Sequence, residues 1–297
     1  MAQLGRALRS GRRGRVFESR HPDVEKLGNI RFLSFYFHKR RNHMIIESHT
    51  HMDDSAFDED RDSLIGEIKN SGIEYMMNIS ASLKSIKTSI DLAKQYDFIY
   101  ASVGVHPSES QELNNENFQW LKEQTAFEKV KSIGEIGLDY YWQEPEKEIQ
   151  QYWFREQLRL AHEVNLPVII HSREAAADTY KIMKEENADK LNGVIHCFSY
   201  TKEIARDYLN WNYYFGIGGV VTFQNAKKLK EAVEYIPIEN IVLETDSPYL
   251  APIPYRGKRN SSLNLPLIAQ AIADIKKIDM EKVIEITRDN TKKLYRL

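Results

Sequence analysis

The sequence predicts a single-domain (β/α)8 barrel, an α/β TIM-barrel fold, over residues 44–297. Three observations predict it. From Met44 onward, short β-branched runs alternate with longer amphipathic stretches through eight units, and strand alternating with helix implies parallel pairing. The runs are nearly all apolar, as expected of strands covered on both faces. Ligand-type residues fall just past six of the eight runs, and a barrel gathers its active site at the C-terminal strand ends.

The strands are expected at 44–48, 73–80, 98–103, 130–136, 167–171, 193–196, 213–217 and 240–245. His49 and His51 follow the first, His106 the third, His171 the fifth and His196 the sixth; Glu135 closes the fourth and Asp246 the eighth. Helical patterns lie near 60–71, 82–95, 114–126, 146–164, 173–188, 201–210 and 223–235, and two more near 264–276 and 280–294 close the chain. In 146–164, Ile149, Trp153, Leu160 and Val164 recur at helical spacing among Glu, Gln and Arg. Asp178 lies too far inside 173–188 to cap it and is expected to be an exposed helix residue. A doubly wound open sheet would place functional residues mainly at one switch point, not after strands 1, 3, 4, 5, 6 and 8.

At 297 residues and 42% hydrophobic, the chain can bury one large core. Its single cysteine, Cys197, rules out a disulfide framework and fits a reducing, cytoplasmic setting. No run approaches the ~20 apolar residues of a membrane-spanning helix. Charge is divided unevenly. Eleven of the 41 Lys/Arg and three of the 43 Asp/Glu fall in 1–43, which leaves 30 basic and 40 acidic residues in 44–297. A body this acidic is not a general duplex-DNA coat. Any nucleic acid must be held by a local cluster or by metal ions.

Residues 1–43 read as a non-family extension outside the fold. Glu18, Asp23 and Glu25 count against an Arg-rich presequence. Arg12-Arg13 lacks the apolar h-region of a twin-arginine signal. Met1-Ala2-Gln3-Leu4-Gly5-Arg6-Ala7 and Val16-Phe17-Glu18-Ser19 are compatible with back-translation to a tRNA D-arm and T-loop. The expectation is a start assigned too far upstream, with Met44 as the true one.

The chemistry starts at His49-Thr50-His51. Residues i and i+2 of an extended segment point the same way, so both imidazoles can meet one ion. A lone His-x-His is weak evidence; directly after a strand it gains weight. Glu135 ends an otherwise apolar strand, flanked by Gly134 and Gly137, which leave the backbone room for a ligand or metal. Its bland alternative is a solvated loop acid. His171 and His196, each alone, would be buried histidines bonded to backbone. With the pair after strand 1 they make four imidazoles and a carboxylate around one mouth, a set suited to zinc, manganese or similar first-row ions rather than calcium. Asp246 is either a general base beside activated water or a turn acid ahead of Ser247-Pro248. Glu244, two residues earlier, is a supporting or barrel-interior group. His106 binds substrate phosphate or is a turn histidine. Arg173, and Arg256, Lys258 and Arg259 after strand 8, offer positive charge for phosphate at the same rim. Tyr140, Tyr141 and Trp142 either stack bases or pack as wall. His162, mid-helix, carries no assigned function.

Taken together, these blocks resemble the TatD family of metal-dependent deoxyribonucleases. The matching motifs are Ile46-Glu47-Ser48-His49-Thr50-His51, Gly104-Val105-His106-Pro107, Gly134-Glu135-Ile136-Gly137-Leu138-Asp139 and Ile170-His171-Ser172-Arg173. They continue through His196-Cys197-Phe198-Ser199, Gly216-Ile217-Gly218-Gly219 and Glu244-Thr245-Asp246-Ser247-Pro248-Tyr249-Leu250 to Arg256-Gly257-Lys258-Arg259-Asn260. The similarity covers 44–297 and nothing before Met44. Glu47 stands where the family often has Asp, and Ser261-Ser262 replace an expected Glu-Pro.

The resemblance implies a TIM-barrel hydrolase of the amidohydrolase-like group acting on phosphodiester bonds, with metal positions at His49, His51, Glu135, His171, His196 and Asp246. The expected mechanism uses two divalent cations (Mg2+, Mn2+ or Zn2+). His49, His51 and Asp246 hold one, His171 and His196 the other, and Glu135 bridges. Asp246 takes a proton from water; His106, Arg173 and Arg259 contact phosphate. The expected substrate is single-stranded DNA or DNA ends. A rival is an amidase or ester hydrolase of the same barrel group, such as a D-aminoacyl-tRNA deacylase. Many such relatives bridge their metals with a carboxylated lysine from strand 4, but Lys131 sits near the start of that strand and Glu135 at its end. A second rival is a catalytically silent metal-binding barrel.

Overall fold

A computed structural model describes residues 44–142 and 144–297; the expectations for 1–43 lie outside the described residues. Eight strands form one parallel sheet in chain order: β1 (Ile45–Thr50), β2 (Ile73–Asn78), β3 (Ile99–Val103), β4 (Val130–Asp139), β5 (Val168–Arg173), β6 (Gly193–Ile195), β7 (Tyr214–Ile217) and β8 (Ile241–Leu243). The helices between them are α1 (Arg61–Asn70), α2 (Leu83–Gln95), α3 (Asn115–Gln124), α4 (Lys147–Val164), α5 (Ala176–Glu185), α6 (Lys202–Leu209) and α7 (Lys227–Tyr235). Then α8 (Leu265–Lys276) and α9 (Met280–Tyr295) follow. This is the expected (β/α)8 barrel. Among the described residues no helix is long and apolar enough to cross a membrane.

The first strand meets the last. Thr50 and Ser247 form a parallel bridge, their hydroxyls 2.6 Å apart. His51 N donates to Ser247 O (2.8 Å), and Asp246 N donates to His49 O (3.0 Å). Below this seam the fully buried Glu47 accepts from Thr245 N (2.9 Å), Thr245 Oγ1 (2.7 Å) and His49 N (3.2 Å). Burial pushes its carboxyl up to about 8, against the pull of those donors. The seam therefore fixes the backbone on either side of His49 and Asp246. Tyr295, at the end of α9, is also buried and donates to Ser48 O (3.0 Å).

Helix starts follow local chemistry. Ser82 with Ser85 and Asn114 with Asn117 make capping boxes at α2 and α3, and α4 stops where Asn165 turns left-handed. On α4, Trp153 and Leu160 are buried as their spacing predicts, while Ile149 and Val164 are only half-buried. Two glutamines on this helix are buried too. Gln157 pairs with both backbone groups of Val105 (2.8 and 3.2 Å), and Gln150 with both of Asp139 (2.9 and 3.1 Å). A buried amide so satisfied acts as a clamp. α4 thereby fixes the ends of two strand segments that reach the site.

Two sequence expectations change here. α5 begins at Ala176, not 173, so Asp178 lies in its first turn. There it is half-buried, accepting from the Tyr140 hydroxyl (2.9 Å), and is not a solvated mid-helix acid. The space beside Gly134 and Gly137 is filled by neighbouring strands rather than open to a ligand. A Cβ on Gly134 would lie 2.6 Å from the Ile169 Cβ, and one on Gly137 would overlap the His171 carbonyl. Gly137 has φ +144° and pairs with His171 across β4 and β5. Gly137→Ala is expected to cost roughly 2–4 kcal/mol. That corresponds to a Tm about 5–10 °C lower in thermal unfolding. An unchanged Tm would show that β4 and β5 can part freely at this point.

Candidate metal centre

β4 runs three residues further than the sequence pattern predicts, because Gly137, Leu138 and Asp139 still pair with His171, Ser172 and Arg173. Glu135 consequently lies inside the strand rather than at its tip, and Asp139, four residues on, shares its facing. Glu135 and His49 are buried near the barrel axis, as is His196 just past β6; His51, His106, His171 and Asp246 line the half-open mouth. The structure brings all seven together.

The two oxygens of Glu135 face different partners. Oε2 lies 3.5 Å from His49 Nε2 and 3.8 Å from His51 Nε2. Oε1 lies 2.7 Å from His171 Nδ1, 3.6 Å from His196 Nε2 and 3.8 Å from His106 Nε2. Asp246 Oδ1 is 3.3 Å from His51, 3.7 Å from His49 and 3.8 Å from His196, in each case from Nε2. Asp246 adopts φ 55°, a left-handed conformation that Asp tolerates better than most residues. His49 and His51 bring their Nε2 atoms within 3.2 Å of each other. An ion with bonds of about 2.0–2.2 Å separates adjacent ligand atoms by roughly 3–3.5 Å, so the donor spacing fits divalent cations. Among the described residues, four three-residue sets are spaced to hold an ion: His49–His51–Glu135, His49–His196–Asp246, His106–Glu135–His171 and His196–Cys197–Glu244.

Supporting residues set which ring nitrogen faces the centre. His51 Nδ1 is 2.9 Å from Ile79 O, which places its proton there and frees Nε2. His171 has Nε2 3.0 Å from Asp139 Oδ2, leaving Nδ1 inward. Behind His196, Glu244 Oε1 lies 3.2 Å from Nδ1, without the alignment of a hydrogen bond, and accepts from Cys197 N at 2.7 Å. Gly216 makes room for it, since a Cβ there would overlap the Glu244 carboxylate. His106 differs. Its Nδ1 accepts from Ser108 N (3.2 Å), so the ring carries its proton on Nε2 and points a donor at the centre.

Charge in the cluster follows from burial and neighbours. Burial opposes protonation of His196 and His51. The carboxylates of Glu244, Glu135 and Asp246 nevertheless push His196 up to about 10, and the Asp246 bond with Asp246 and Glu135 charge pushes His51 up to about 9. Burial and the neighbouring His171 take His106 down to about 3, so it stays neutral. Burial would raise Asp246, but His196, His51 and His49 hold its carboxyl below the usual range. Glu135 is held well below it by His196, His106, His171 and His49, again against burial.

The remaining sequence candidates have other partners. Arg173, the exposed last residue of β5, sets its guanidinium 3.8 Å over the Tyr141 ring. Arg259 makes a bidentate pair with Asp60 (2.8 and 2.6 Å), and its Nη1 also reaches Ala56 O at 2.8 Å. Lys131 places its Nζ over the Tyr100 ring, and His162 bonds Glu186 O at 2.9 Å. Ser261 caps a short 3-10 turn and Ser262 packs on Met76 Sδ. Sequence reasoning passed over Asp139 and Gln150 as supports. The acid at i+4 of a strand from Glu135 was the available signal for the first; a polar residue on a buried helix face, for the second.

Barrel, strand-end donors and a mixed imidazole–carboxylate cluster define a metal-dependent hydrolase. The chain belongs to the TatD family: residues 46–296 match the family model described as TatD related DNase. It is 41% identical over 254 residues to the uncharacterized metal-dependent hydrolase YabD of Bacillus subtilis, covering 86% of this chain and all of that protein. Against the uncharacterized metal-dependent hydrolase YcfH of Escherichia coli K12 it is 33% identical over 256 residues, covering 85% of this chain and 96% of the relative. The crystal structure of the TatD homologue YJJV from Escherichia coli superposes with a TM-score of 0.81 at 25% identity, covering 85% of this chain and 98% of that one.

Proposed function

We propose that the protein is a deoxyribonuclease that hydrolyses phosphodiester bonds with two divalent cations, Mg2+, Mn2+ or Zn2+, acting on single-stranded DNA or DNA ends. The observation that carries this reading is the division of Glu135, with Oε2 toward His49 and His51 and Oε1 toward His171 and His196. A carboxylate shared in this way suits a paired-ion site, the arrangement common in phosphodiester hydrolases. The family description, TatD related DNase, supports the same substrate.

His49, His51 and Asp246 would hold one ion, His171 and His196 the other, and Glu135 both. When bound, the ions supply positive charge for the phosphate oxygens and lower the pKa of water. Asp246, at 15% side-chain exposure against 4% for Glu135, is the carboxylate nearest the opening. Ionised at neutral pH, it accepts the proton of the attacking water. His106 remains neutral and donates from Nε2 to a phosphate oxygen. Arg173 adds fixed positive charge at the rim.

The test is purified protein assayed on single-stranded DNA with no metal, Mg2+, Mn2+ or Zn2+. Cleavage is expected only with an ion present. Hydrolysis of an aminoacyl ester without cleavage of DNA would replace this reading with the deacylase one. Ion binding with no hydrolysis of either substrate would leave the silent barrel.

A further inference from the structure

We infer that the loop after β4 carries a stacking site for an unpaired nucleobase, built from Tyr141 and Trp142 and backed by the Arg173 guanidinium. The inference rests on the deoxyribonuclease reading and adds what part of the substrate that face takes. The three consecutive aromatics split into two roles. Tyr140 is wall: its hydroxyl donates to Asp178, Gln151 Nε2 donates to it at 2.8 Å, and Lys147 lies 4.2 Å over its ring. Tyr141 and Trp142 are 50% and 54% exposed, and Trp142 is the most exposed large apolar side chain among the described residues. Their rings meet edge to face at 4.9 Å and 87°, which leaves the indole open to solvent.

This pair is tied to the metal centre. Asp139 Oδ1 accepts from Tyr141 N at 3.0 Å, while Oδ2 of the same carboxylate lies 3.0 Å from His171 Nε2. One acid therefore positions a metal-facing ring and anchors the exposed aromatics. Arg173 stands two residues past His171, its guanidinium held in place by the Tyr141 face. In a body with 40 acidic and 30 basic residues over 44–297, a cation beside exposed rings matches one ligand chemistry: a flat apolar base joined to a phosphate. Every base offers a π-face, so stacking tolerates any sequence. A duplex hides those faces, so the occupant is single-stranded.

Two fluorescent oligonucleotides of equal length test this with the metal-loaded full chain. Both carry phosphorothioate linkages against cleavage, and one lacks its bases. Trp142→Ala should weaken binding of the base-bearing strand roughly tenfold and leave the abasic strand unchanged, while Tyr141→Ala, which also frees Arg173, should weaken the base-bearing strand more than the abasic one. Trp142→Phe should restore most of the loss, and on cleavable DNA KM should rise more than kcat falls. Equal losses on both strands, or none on either, would overturn the stacking site. Parent protein that cleaves DNA while its variants bind both strands alike removes this site alone. Parent protein that neither binds nor cleaves DNA removes the deoxyribonuclease reading with it.

Discussion

Replacing Glu135 with glutamine or alanine is expected to lower metal-dependent hydrolysis at least about a thousandfold while the barrel stays folded. The amide keeps the shape of the side chain but loses the charge, and turns one of two acceptor oxygens into a donor. That donor would face either His49 and His51 or His171 and His196, so both halves of the site lose their shared anion and one of them also loses an acceptor. Charge stabilisation at paired-ion sites is worth several kcal/mol, and about 4 kcal/mol corresponds to roughly three orders of magnitude in rate. The fold should tolerate the change because the seam bonds of Glu47 and Thr245 and the α4 clamps on Val105 and Asp139 do not involve residue 135. Single-turnover hydrolysis, bound metal and far-UV circular dichroism read the three consequences. Turnover within tenfold of the parent, at full metal content, would remove Glu135 from the bridging position.

The second large effect is on pH. At neutral pH the metal-free cluster carries protons on His51 and His196, pushed up to about 9 and about 10. A cation must displace them, so metal affinity should climb from pH 6 to pH 9 and release about two protons per loaded site. With His51 in one ion's set and His196 in the other's, each ion gains about tenfold per pH unit below those values. The metal-free fold should show the opposite slope. A histidine whose folded pKa is raised stabilises the fold fully below its unfolded value near 6.5 and loses that contribution as pH rises through 9–10. The Tm of metal-free protein should therefore fall from pH 7 to 10 while metal rescue of Tm grows. Calorimetric titration in buffers of different ionisation heat counts the protons. Affinity that is flat across this range would mean that His51 and His196 enter the metal-free cluster uncharged.

The barrel was legible because its strands needed so little context. Apolar runs such as Pro167-Val168-Ile169-Ile170 and Ile241-Val242-Leu243 have few ways to sit except buried on both faces, and each predicted run contains an observed strand or overlaps one. The positions of the candidate ligands were legible for the same reason, since a polar residue past such a run has the barrel mouth as its outlet. What stayed hidden depends on neighbours distant in sequence. β4 runs on to Asp139 because β5 continues beside it. The glycines flanking Glu135 serve strand contact, which no local pattern reports. Arg259 reads as a free cation in Arg256-Gly257-Lys258-Arg259, but in the fold it meets Asp60 from the loop after β1. Nor does local sequence show that Glu47, a single methylene longer than the family's usual Asp, joins β1 to the segment after β8.

That join gives the ions a second consequence. Glu47 and Thr245 stand 198 positions apart in the chain, and the proposed ligands His49, His51 and Asp246 straddle the same gap. A cation gripped by all three is a reversible staple across nearly the whole barrel, linking where the sheet starts to where it ends. Cross-links that span long loops restrain the unfolded chain most, and a ligand bound only by the closed form holds it closed by mass action. Stripping the metal should therefore loosen the barrel first along one line, between β1 and β8, like a clasp coming undone on a bracelet whose other links stay whole.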